Sequence, residues 1–191
     1  MSIRHFIKEF ATDPQATGSV APSSGVLARE VVRGLNLGRS KAVLEYGPGT
    51  GAFTSHILDE IPESCRFVAI ERNRKFAQLL RMKFPDVNLC HGNVADVRRI
   101  CDENAISMAD CIVSGLPWAA FALQTQEIYM REMMRVLKPG GLFVTFMLTT
   151  SLLVPSSWRF ARMLRRHFTE VSRSPIVWMN FPPAFVYRCR R

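Results

Sequence analysis

Short apolar runs alternate with stretches of helical period along this chain. Ala42-Val43-Leu44 is an apolar run closed by an acid, Glu45, and glycines follow at Gly47, Gly49 and Gly51. Beyond them Phe53, Ile57 and Leu58 recur at helix spacing, with Thr54, Ser55 and Asp59 between, so the pattern predicts strand, Gly-rich turn, helix. The alternation continues: Phe67-Val68-Ala69-Ile70 ends in Glu71, and a helix over Arg74–Phe84 stops at Pro85. Val87-Asn88-Leu89-Cys90 predicts a third strand, leading into His91-Gly92-Asn93-Val94. A fourth, over Asp110–Val113, opens onto Ser114-Gly115-Leu116-Pro117-Trp118. Tyr129–Leu137 is helical, Lys138-Pro139-Gly140-Gly141 breaks it, and Leu142–Leu148 predicts a buried central strand. Trp158–Phe168 is an amphipathic helix with Trp158, Ala161, Leu164 and Phe168 on one face. The last strands are expected around Val171 or Ile176 and over Ala184–Cys189, with Asn180-Phe181-Pro182-Pro183 in the turn between. Such alternation predicts a doubly wound α/β domain.

Ahead of it, Ile3, Phe6, Ile7 and Phe10 line one face of a short helix, Arg4, His5 and Lys8 lie on the other, and Pro14 ends it. A small polar loop, Thr17–Ser24, follows; Ser23 or Ser24 caps a helix whose Leu27, Val31 and Leu35 face inward. The expected organisation is an amphipathic segment and cleft loop over 1–24 and one domain over 25–191.

The glycines let the backbone turn tightly and approach a ligand, and the following helix offers free N–H groups. A dinucleotide fingerprint would be satisfied too, by Gly47, Gly49 and Ala52. Two acids decide between cofactors. Glu71 stands about twenty residues on, where a doubly wound sheet places the acid that holds a ribose hydroxyl. Glu45, read as lying at the strand tip, would repel a pyrophosphate and attract the ammonium and sulfonium of S-adenosyl-L-methionine.

A length of 191 residues suits one such domain, and no apolar run reaches the roughly 20 residues of a membrane span. The short N-terminal apolar stripe is no signal-peptide core, so a cytoplasmic protein is expected. The five cysteines show no paired spacing, which argues for free thiols and against zinc. The net charge of +9 changes the picture, because it calls for an anionic partner, a nucleic acid or a membrane surface. Arg159, Arg162, Arg165 and Arg166 crowd the Trp158 helix and are the candidate phosphate contacts.

The pattern Glu45-x-Gly47-x-Gly49-x-Gly51 with Glu71 resembles the first two motifs of class I methyltransferases. Taken with SGLPW, RVLKPGG and the closing FPPAFVYRCRR, nearly the whole chain resembles bacterial phospholipid N-methyltransferases, which act on phosphatidylethanolamine, and the related ornithine-lipid N-methyltransferases. The resemblance implies a Rossmann-like, seven-stranded, mostly parallel sheet with its last strand antiparallel and helices on both faces. It implies S-adenosyl-L-methionine as donor, an aminolipid as acceptor and peripheral attachment to the inner membrane surface. The cofactor would be held by Glu45, Tyr46, Gly47, Gly49, Gly51, Glu71, Arg72, Gly92, Asn93, Val94 and Ser114. Asn93 stands where the family most often has Asp facing the adenine amino group; Asp96 reads as a helix cap.

Transfer needs a neutral amine aligned with the methyl group. Backbone carbonyls near Ser114 and Gly115 would orient it, Leu116 beside them is a further catalytic candidate, and Trp118 would hold the methylated cation over its ring. His91 is a candidate base or a structural residue. Ser23, Ser24 and Asn180 are the substrate-side candidates, with Arg159, Arg162 and Arg166 toward the membrane. An rRNA adenine dimethylase is the alternative; that family has Asn-Leu-Pro-Tyr where Ser114–Trp118 stands, and adds an RNA-binding domain. A non-catalytic membrane-binding protein is the third reading.

Overall fold

The computed structural model describes residues 24–191. The Ile3–Phe10 stripe and Ser23 lie outside them. The described residues form α1 (Gly25–Val32), β1 (Ala42–Tyr46), α2 (Ala52–Glu60), β2 (Arg66–Glu71), α3 (Arg74–Lys83), β3 (Leu89–His91) and α4 (Val97–Glu103). They continue with β4 (Ala109–Ser114), α5 (Leu123–Val136), β5 (Leu137–Leu148), α6 (Pro155–His167), β6 (Glu170–Arg173) and β7 (Ala184–Arg190). Strand order is β3-β2-β1-β4-β5-β7-β6. All pairings are parallel except those of β7, which runs antiparallel to β5 and β6. This is the expected Rossmann-like sheet.

Strand alternation divides the core in two. Leu44, Tyr46, Val68, Ile70, Ile112 and Phe143 face α4, α5 and α6. Val43, Phe67, Ala69, Cys111, Val113 and Val144 face α1, α2 and α3. Both faces are covered, which is why the strands carry near-continuous apolar runs. Chain order reverses between β1, whose next strand lies to one side, and β4 on the other. A crevice at the carboxyl ends of such a strand pair is where ligands bind in open α/β sheets.

The structure revises some elements. α5 starts at Leu123, six residues before the sequence reading, because its first turn buries a polar side chain, Gln126, whose Nε2 donates to the Trp118 carbonyl at 2.7 Å. Lys138–Gly141 ends the helix but bulges within β5: Ala109 pairs with Leu137, then Cys111 with Leu142. β6 is the strand at Val171, and Ile176 falls in the loop. In α6 Trp158 points outward; Phe160, two positions on and so about 200° round the helix, faces the core with Ala161 and Leu164.

Candidate active site

Gly47, Gly49 and Gly51 all take positive φ, which L side chains adopt rarely. Two are also needed for space. A Cβ on Gly47 would meet Leu116 Cδ2 at 2.7 Å, and one on Gly51 would meet Phe84 at 2.5 Å. Gly49 has open space around it, and its N–H donates to Glu71 Oε2 (3.1 Å). The Asn73 N–H donates to the other oxygen, Oε1, at 2.7 Å. Glu71 therefore ties the glycine turn to the end of β2. Burial raises its pKa, against the lowering pull of those backbone N–H groups and Arg72.

Glu45 departs from its expected place at the strand tip. It sits inside β1, fully buried on the α2 side. Thr54 Oγ1 donates to its Oε2 at 2.7 Å, and Oε1 has no hydrogen-bond partner among the described residues. Desolvation, countered by the Thr54 bond and reinforced by the charge on Glu71, pushes its pKa up to about 8. At neutral pH the carboxyl is thus mostly protonated until a cation meets it. Thr54, read as a polar position between the apolar ones, proves to be the hydrogen-bond partner of Glu45. The one signal for it was its place one helical turn beyond the glycines, within reach of a buried acid.

The β4 turn packs directly on the glycine turn. The Gly115 N–H donates to the Tyr46 carbonyl at 2.7 Å, and a Cβ on Gly115 would lie 2.5 Å from the Gly47 carbonyl oxygen. Ser114 faces the other way. Its Oγ accepts from Trp118 Nε1 (3.0 Å) and the Leu116 N–H (3.3 Å), and its carbonyl accepts from Thr145 Oγ1 (3.0 Å). The Leu116 carbonyl is taken by the Trp118 N–H at 2.9 Å. Of the Ser114, Gly115 and Leu116 carbonyls, only that of Gly115 accepts no hydrogen bond from the described residues.

Several expected roles move. Trp118 is 1% exposed, stacked on Phe160 at 4.8 Å and edged by Phe121, Tyr129 and Phe143. No ring face is open to a cation, so Trp118 is a core residue that Ser114 holds in register. Tyr46 is buried in the same core, and its carbonyl holds the Gly115 N–H. His91 is exposed, and its Nε2 lies 3.1 Å from the Arg72 carbonyl. It ends β3, three strand spacings from β4, about 14 Å away; it stands on the wrong strand to deprotonate an amine at Gly115. Asn93 follows Gly92, whose N–H donates to the Glu71 carbonyl; its Oδ1 already accepts from the Ala95 N–H at 3.0 Å and has one lone pair left. Val94 is buried beside it, and Asp96 makes no side-chain cap. Ser24 caps α1, and its own N–H donates to Asn180 Oδ1 at 2.9 Å. Asn180 Nδ2 donates to the Pro182 carbonyl (2.7 Å), so this amide is a clamp within the protein. Arg159, Arg162 and Arg166 are exposed on α6.

A glycine cradle, an acid at the end of β2 and a buried carboxyl with one orphan oxygen fit a nucleoside ligand that carries positive charge. Residues 43–141 match the family described as a methyltransferase domain. A SAM-dependent methyltransferase from Aquifex aeolicus superposes with a TM-score of 0.64 at 14% identity, over 100% of this chain and 99% of that one. Family match and fold together make this an S-adenosyl-L-methionine-dependent methyltransferase with the class I sheet. Ribosomal RNA small subunit methyltransferase A of Prosthecochloris aestuarii is 38% identical, but over 36% of this chain and 25% of its own length. The ornithine lipid N-methyltransferase of Singulisphaera acidiphila is 35% identical over 97% of this chain and 94% of its own. The chain belongs to the methyltransferase family of that protein.

Proposed function

We propose that this enzyme methylates the amine of a membrane aminolipid, ornithine lipid in the first place and phosphatidylethanolamine in the second. The carrying observation is the near end-to-end likeness to an ornithine lipid N-methyltransferase, against likeness over about a third of the chain to rRNA methylases. S-adenosyl-L-methionine, when bound, supplies a methyl group on a sulfonium. Glu71 and the Gly47–Gly51 turn would hold it, with Glu45 meeting its positive charge and Asn93 its adenine. The free carbonyl of Gly115 would accept a hydrogen bond from the amine and fix its lone pair. No described side chain is placed as a base there. The ammonium gives its proton to bulk water before it enters, because desolvation in the crevice disfavours the charged form.

The same proposal places the enzyme on the inner membrane surface. No helix among the described residues is long and apolar enough to cross a membrane. α6 carries four exposed arginines and, at its start, an exposed Trp158, a composition suited to anionic lipid. The test is direct. Purified protein with methyl-labelled cofactor is given ornithine-lipid micelles, phosphatidylethanolamine micelles and ribosomal RNA in parallel, and products are read by mass spectrometry. Label on an aminolipid, with RNA unlabelled, is expected; label on RNA alone overturns the proposal.

A further inference from the structure

Of the six most exposed large apolar side chains among the described residues, five gather where the crevice opens; the sixth, Met82, lies on α3. In the β6–β7 loop Trp178, Met179 and Phe181 are 72%, 77% and 88% exposed. This loop is pinned. Val177 exchanges backbone hydrogen bonds with Ala184 (2.7 and 3.4 Å), and the Asn180 amide joins Ser24 to Pro182. Val177 and Asn180 are buried, so the loop has an interior and still turns its three largest apolar residues outward. After β5, Leu153 and Trp158 are 87% and 67% exposed. The two segments are joined: the Thr149 N–H and Oγ1 both donate to the Pro183 carbonyl, at 2.8 and 3.1 Å. β7 begins at Ala184, opposite Leu148, so both segments leave the carboxyl edge of the sheet, the edge of Gly47, Glu71 and Gly115. Ser156 Oγ donates to the Ala119 carbonyl at 2.6 Å, which fixes the start of α6 beside the β4 turn.

We infer that this rim, Trp178, Met179 and Phe181 with Leu153 and Trp158, inserts into the interfacial layer of an anionic phospholipid bilayer and seats the crevice on it. The inference rests on the aminolipid reading for its purpose, though not for its test. Trp178, an aromatic body with one polar tip, suits the headgroup layer, while the Trp158 indole N–H is held by the Leu152 carbonyl at 2.8 Å. Exposed apolar area of this extent marks an interaction surface. The neighbouring charge selects the partner: Arg159 and Arg162 flank Trp158 on α6, and the chain carries +9. Two anchors then share the work, a salt-sensitive arginine face and a salt-insensitive apolar rim. Neither alone gives durable attachment.

Of the three tryptophans, Trp118 is buried in the core. In a Trp158→Phe protein, a change in emission on adding lipid therefore reports Trp178. With vesicles of phosphatidylglycerol and phosphatidylcholine, its emission should shift to the blue and be quenched by lipids brominated near the headgroup. A Trp178→Ser/Met179→Ser variant, shown folded by unchanged cofactor affinity, should bind these vesicles about tenfold more weakly, at high salt as at low. It should methylate detergent-dispersed aminolipid at the parent rate and bilayer aminolipid more slowly. No spectral shift, or equal vesicle binding by variant and parent, overturns the inference. So does a rim that proves covered by a second copy or by residues 1–23, seen as a dimer in sedimentation or as protection from aqueous quenchers without lipid. If the parent docks as stated but methylates no lipid, the rim stands and the aminolipid reading falls.

Discussion

Glu45→Gln should make the ligand-free enzyme more stable and bind its cofactor less well. Glu45 is buried, with a pKa of about 8 in the fold against 4.5 for a free side chain. Between these values the folded chain holds a proton that the unfolded chain has lost. Stability therefore falls as pH rises through that window, by about 1.36 kcal/mol per unit for the one proton. From pH 4.5 to pH 7 the loss comes to about 3 kcal/mol. Glutamine copies the protonated acid, with an oxygen for Thr54 and N–H donors toward the orphan position, but never charges. At pH 5 the variant should match the parent; at pH 7 it should be more stable by up to about 3 kcal/mol, roughly 6–12 °C in Tm for a chain of this size. Binding should move oppositely. Loss of the proposed charge-assisted contact to the cofactor's cation would be worth about 1.5–3 kcal/mol, or about ten- to a hundredfold in affinity. Urea denaturation across pH 5–8 and calorimetric titration with S-adenosyl-L-methionine measure both. A variant less stable at pH 7, or one keeping the parent's pH slope, would refute the reasoning, since Glu45 could not then be a buried, neutral acid.

Glu71→Ala should lower cofactor affinity about ten- to a hundredfold in calorimetry, because it removes the proposed ribose partner and the tie to the Gly49 N–H. Gly115→Ala forces a Cβ to within 2.5 Å of the Gly47 carbonyl, so the two turns must part and kcat should drop about a hundredfold. Trp118→Leu should lower stability by about 2–4 kcal/mol while leaving KM for the amine unchanged in the folded variant, since its ring is sealed in the core. Arg159→Ala should weaken binding to anionic vesicles more than Arg166→Ala does, by sedimentation at low salt. α6 descends from the crevice edge, placing Arg166 about 10 Å further down, beyond a Debye length of about 8 Å.

Local signals carried far in this chain. The run Ala42–Leu44, the glycines and the Phe53–Ile57 spacing placed β1, its turn and α2, because a strand, a positive-φ turn and an amphipathic helix each follow from a few adjacent residues. Glu71 was legible for the same reason: it ends an apolar run at a fixed distance from the glycines. The RNA-binding and non-catalytic readings were harder to set aside from residues alone, since charge and a glycine turn are common to all three.

What the sequence could not give was direction and company. Whether Trp118 opens to a ligand or closes on Phe160 depends on α6 crossing over it, a contact 42 residues away in the chain. Whether Glu45 is a charge or a neutral acid depends on how deeply α2 covers it, and desolvation is a property of all the surroundings at once. His91 and Gly115 are close to the same motifs in sequence, yet strand order sets them three strands apart. Side-chain periodicity fixes which residues share a face; only packing decides which faces meet, and so which polar atoms are left free for a substrate.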